Sequence, residues 1–113
     1  MNAYKAVGGM YGGAITPDQQ LYRWPVVDEL TVTATFSGGD GSFTYQWDNG
    51  ATSPATTVYA QYFENQGPGT IRARISASVT ITDLSDGGKL HIGFGHNFTE
   101  PPEGCSTCVT DPP

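Results

Sequence analysis

Residues 38–50 read GGDGSFTYQWDNG. Within Phe43-Thr44-Tyr45-Gln46-Trp47, aromatic and polar residues alternate strictly. A period of two is the strand period, so all three rings leave one face of a β-strand. GGDG before the strand and DNG after it hold the residues that tolerate positive φ in tight turns. A strand set between turns, with rings on one side, needs a second layer to bury them. Phe43, Tyr45 and Trp47 are therefore predicted to be one sheet's share of a sandwich core. An exposed aromatic platform for sugars is the competing use of the same rings. Thr44 and Gln46 on the opposite face oppose it, because a core must be built from something.

The same period continues on both sides. Leu30 to Phe36 places Leu30, Val32, Ala34 and Phe36 inward and three threonines outward. The longest alternation runs from Ile71 to Thr82, with Ile71, Ala73, Ile75, Ala77, Val79 and Ile81 on one face. It is long for a strand, so a bend or bulge is expected within it. Leu21 to Trp24, stopped by Pro25, predicts a short edge strand. Thr56 to Phe63 predicts another, with Val58, Ala60 and Tyr62 on one face and Tyr59 and Phe63 on the other. DLSDGG at 83–88 turns the chain, and Leu90, Ile92 and Phe94 begin a last strand. The expected core comprises Leu30, Val32, Phe36, Tyr45, Trp47, Ile75, Val79 and Ile81.

These runs predict an all-β fold, a single immunoglobulin-like β-sandwich of about seven strands over residues 20–97. Two extended segments flank it. Residues 1–19 combine Gly8-Gly9, Gly12-Gly13 and Pro17 with scattered apolar groups, which predicts a flexible Gly-rich arm. Residues 98–113 form a Pro-rich tail carrying CxxC. No repeat occurs at solenoid or propeller periods, so the chain is one module.

Composition narrows the function. The 113 residues carry 15 Gly and 8 Pro, only 14% are charged, and the net charge is −6 with five Lys and Arg together. A nucleic-acid binder needs a basic footprint that so few cations cannot make. Neutral or basic partner surfaces fit better. No apolar run approaches the ~20 residues that span a bilayer. The stretch MNAYKAVGGMYGGAITP lacks the continuous apolar segment of a secretory signal. With Met1 as the start, an extracellular texture without an export signal fits a virion protein released by lysis.

GGDGSFTYQWDNGATS resembles the GG-x-G-x-x-TY-x-W-x-NGAT core of PKD-like and SprB-type immunoglobulin-like repeats of bacterial surface proteins. SVTITDLSDGG resembles the TVTVTD-x-x-G strand and turn that close those repeats. The resemblance spans roughly residues 28–95 and implies that Trp47 fills the role of the central core tryptophan of the third strand. Similar modules occur in tailed-phage decoration, tail and fibre proteins. The chain departs from antibody-type domains in lacking the inter-sheet cysteine pair, and from tandem surface repeats in standing alone.

Signals for catalysis are few. The sequence has no serine elbow, Walker loop or HExxH, and GGMYGG lacks the strand-then-helix setting of a phosphate site. Asp40, Asp48, Asp83 and Asp86 lie in turns, where aspartate serves the local backbone. Calcium at these loop carboxylates has no EF-hand spacing behind it. Cys105-Ser-Thr-Cys108 admits three uses. A local disulfide suits an extracellular tail. A redox site lacks its βαβ setting. Zinc would need His91 and His96 beside Cys105 and Cys108, yet an odd spacing sends the two histidines to opposite strand faces. The haem-attachment motif fails because Val109 stands where its histidine belongs. No cofactor is expected.

The expected function is therefore non-enzymatic: a virion structural protein decorating a phage capsid or tail. Its partner would be the major capsid protein or another virion protein, with self-association as a further option. Tyr4, Val7, Met10, Tyr11 and Ile15 of the arm, with Arg72 and Arg74 on the long strand, are the candidate contacts. The alternatives are a secreted or cell-surface adhesion module that binds glycans, and a subunit of an extracellular filament. A hydrolase or redox enzyme ranks last.

Overall fold

The computed structural model describes residues 9–102. Its seven strands are β1 (Tyr11–Pro17), β2 (Glu29–Ser37), β3 (Phe43–Trp47), β4 (Ala55–Tyr59), β5 (Gln61–Tyr62), β6 (Ile71–Asp83) and β7 (Lys89–Thr99). There is no helix among the described residues. β6 and β7 form a long antiparallel hairpin from Thr82↔Lys89 to Ile71↔Thr99. The irregularity expected partway along β6 lies instead at its beginning, where the register shifts between Ile71 and Ala73. On the other side of β6, β3 pairs with residues 79–83 and β5 with residues 73–74, both antiparallel. A second sheet has the order β1-β2-β4. The chain is thus an all-β sandwich of two antiparallel sheets, with the first, second and fourth strands in one and the others in the second.

The inward faces are those that alternation requires. Val32, Ala73, Ile75, Ile81 and Phe98 are wholly buried, and Leu30, Trp47, Val58 and Val79 nearly so. Phe36 and Tyr45 belong to the core's margin and are only partly buried. Phe36 of β2 meets Phe43 of β3 edge-to-face with ring centroids 4.8 Å apart, closing one side between the sheets.

Around Trp47 the loop is built by hydrogen bonds. Trp47 Nε1 donates to the Ser53 carbonyl at 2.7 Å, so a buried indole keeps its one polar group satisfied. Trp47 N donates to the Ala51 carbonyl, and Ala51 N to Asn49 Oδ1. Asn49 Nδ2 also reaches Thr56 Oγ1 at 3.0 Å, so DNGATS folds back onto β4. At the far end of β3, buried Asp83 accepts from Asp40 N, Ser85 N and Ser85 Oγ. One carboxylate thereby ties the GGDG loop to the 83–88 turn. Asp83 acts as a staple between loops 43 residues apart, beyond the local backbone role expected of it.

Four further expectations need correction. Tyr11–Pro17, placed within the flexible arm, is instead edge strand β1, paired with β2 through Ile15↔Ala34 and Pro17↔Val32. Its glycines serve geometry. Gly12 takes φ +68° where the register shifts, and a Cβ on Gly13 would lie 2.7 Å from Ile92 Cδ1. Second, Leu21 to Trp24 forms no strand; it runs as a bend ending at the cis Trp24–Pro25 bond. Leu21 is nonetheless buried, and the Arg23 carbonyl accepts from Thr99 N. Third, the run 56–63 is two strands, because the chain leaves one sheet at Ala60 and joins the other. Fourth, β7 runs on to Thr99, past the boundary expected at residue 97, because His96 and Phe98 continue its inward face. Residues 1–8 and 103–113, including the arm's beginning and the CxxC, lie outside the described residues.

Trp47→Ala should cost ~3–5 kcal/mol in chemical denaturation by leaving a cavity and an unsatisfied Ser53 carbonyl. Gly13→Val should cost ~1–3 kcal/mol through the contact with Ile92. An unchanged midpoint for Gly13→Val would show that β1 does not dock on β7.

Candidate functional site

The residues chosen from sequence do not converge. Tyr4, Val7, Cys105 and Cys108 lie outside the described residues. Ile15 is buried in its own sandwich and Met10 packs against it, so neither is offered to a partner as expected. Of the described candidate contacts in the arm, Met10, Tyr11 and Ile15, Tyr11 alone is well exposed. Arg72 and Arg74 do not act as a pair. Arg72 is engaged by Glu100, and Arg74 donates to Asn97 Oδ1 at 2.8 Å while lying across Gly95.

The two histidines take opposite faces of β7. His91 is exposed and hydrogen-bonded through Nδ1 to Thr80 Oγ1 at 2.8 Å. His96 is buried, its Nε2–H donates to the Tyr22 carbonyl at 2.8 Å, and its ring meets Phe98 edge-on. They cannot hold one ion together. Among the described residues no group of three His, Cys, Asp or Glu is placed to bind a metal.

A surface that alternation did not single out stands at the crossover between sheets. Tyr59 ends β4, Ala60 turns the chain with its N–H on the Asp28 carbonyl, and β5 then adds to β6. Tyr59 is 68% exposed, Tyr62 58%, Ile71 44% and Phe63 42%. Single exposed apolar residues are ordinary, as Tyr11, Tyr22 and Leu84 are elsewhere; four along the crossover and the β5–β6 pairing make this stretch a candidate contact surface. Backbone bonds hold this corner together. Phe63 N donates to the Arg72 carbonyl, and Glu100 N to the Thr70 carbonyl. Phe63 and Ile71 flank a shallow groove shared with Glu64, Gln66, Thr70 and Asn97.

Carboxylates border the rings. Tyr62 Oη donates to Asp28, Glu29 lies across from Tyr59 in register, Glu64 follows Phe63, and Glu100 holds Arg72. The signal in the sequence was apolar residues on both faces of the run 56–63. A strand at a sandwich surface has no use for a second apolar face, so Tyr59 and Phe63 asked for another partner.

The outer faces contrast with this rim. Thr16 and Thr33, and Thr31 and Thr57, stand opposite one another on the smaller sheet; Gln46 faces Thr80 on the larger. A second groove, sharing Asn97 with the first, lies between residues 16–21 and β7 and is lined by Asp18, Gln20, Arg74 and Phe94. No protein-family model, curated protein or solved structure matches the chain.

Tyr59→Ser should change folding stability by no more than about 1 kcal/mol, the range of exposed strand substitutions. A loss comparable to that of Trp47→Ala would make Tyr59 a packing residue and remove it from the rim.

Proposed function

We propose that the protein is a non-enzymatic structural component of a virion, a single sandwich that decorates a phage particle and docks through the crossover rim. The observation carrying this reading is that Tyr59, Tyr62, Phe63 and Ile71, along the crossover and the β5–β6 pairing, are all exposed. Aromatic anchors with a polar border are the usual makeup of an interface centre. Docking is assigned to this rim because Ile15 and Met10 of the arm serve the sandwich; Tyr4 and Val7 lie outside the described residues. The resemblance of residues 28–95 to PKD-like modules belongs to the same reading. The sheet distribution agrees with it, as immunoglobulin-type sandwiches place strands A, B and E opposite C, F and G.

A second reading is a secreted or cell-surface adhesion module that binds glycans. The groove beside Phe94 favours it, because carboxylate, amide and guanidinium groups lining it together with a ring suit a sugar's hydroxyls and apolar face.

Immunoblotting of density-gradient fractions from the producing culture separates the two. Co-banding with particles in many copies is the expected result. Recovery with cell envelopes, and none with particles, would overturn the virion reading in favour of adhesion.

A further inference from the structure

We infer that the partner segment at the crossover rim is an extended basic peptide, bearing arginine or lysine, that lies along the β5 edge. This rests on the reading of the rim as the docking surface and adds the chemistry of what docks there. The first observation is the edge itself. β5 ends its sheet, paired with β6 on one side only, and no described strand covers the other. An uncovered edge offers backbone donors and acceptors to an added strand. β5 is only two residues long, so side-chain contacts must supply most of the affinity.

The second observation is the pairing of rings with carboxylates. Tyr59, Tyr62 and Phe63 expose π faces, to which guanidinium and ammonium groups are drawn. Asp28 accepts from Tyr62 Oη, Glu29 lies across from Tyr59 in register, Glu64 follows Phe63, and Glu100 pairs with Arg72, whose carbonyl accepts from Phe63 N. Two cations border this corner, and both are engaged: Arg72 by Glu100, and Arg74, across from Gln61 of β5, by Asn97. An acidic partner would meet like charge here, and a second copy of this chain, net −6, would bring the same carboxylates against themselves. A basic segment meets complementary charge, and its arginines can stack on the rings while the aliphatic part of each side chain covers Phe63 and Ile71.

The test is an amide-resolved NMR titration of the ¹⁵N-labelled full chain with a short peptide of alternating Arg and Val. Its Glu–Val counterpart is the control. Saturable shifts are expected at residues 59–64 and 70–72, weakening as salt rises from about 50 to about 500 mM. The double variant E29Q/E64Q should bind about tenfold more weakly while keeping a folded spectrum. Y59S/Y62S/F63S should lose the shifts; should that variant unfold, the double variant alone carries the test. Equal shifts with the Glu–Val peptide, shifts centred on the Phe94 groove, or none with Arg–Val would overturn the inference. Failure here is separable from failure of the virion reading. Co-banding with particles but no Arg–Val binding removes the basic partner alone. Arg–Val binding without co-banding supports the rim chemistry and removes the virion.

Discussion

Every strand of the larger sheet is hydrogen-bonded to β6, and the alternation along β6 is the constraint on which the sandwich rests. Its odd residues from Ala73 to Asp83 are buried, so the strand cannot slip by one position without turning that whole row to water. β7 follows it in register over nearly its full length, and β3 is fixed by Trp47↔Val79 and Tyr45↔Ile81. The smaller sheet then closes over this surface, with Leu30, Val32 and Val58 buried against it. Asp83, at the end of the same row, holds the two turns beside β3.

Much of this was legible because period and burial agreed. Ile71 to Thr82 and Leu30 to Phe36 alternate without fault, and each became a strand with the expected face inward, save Ile71, which the irregular start of β6 leaves exposed. Trp47 was legible for the same reason, together with the turn chemistry after it. Where one residue type has two opposite uses, local pattern failed. Glycine loosens a chain in isolation, yet Gly12 shapes a bulge in β1 and Gly13 lets β1 approach Ile92. Only the neighbour across the gap distinguishes these uses. The change of sheets at Ala60 was hidden too, since both halves of 56–63 have strand composition and the break depends on a bond to Asp28.

The rim follows from that change of sheets. A chain that leaves one sheet for the other in a single step cannot bury every side chain around the step. Serine or threonine would suit the exposed positions, as they do on both outer faces. Tyrosine, phenylalanine and isoleucine occupy them instead, and carboxylates border them. The sandwich itself gains little from this arrangement, which is why the corner is assigned to a partner while the histidines and Asp83 are assigned to the fold.

Oxidative footprinting of Tyr59, Tyr62 and Phe63 addresses the docking surface most directly. The three rings should react readily in the isolated protein and become protected in its native assembly, while Tyr11 on β1 stays reactive in both. Equal reactivity of the three rings in the two states, or protection of Tyr11 alone, would contradict docking through the rim.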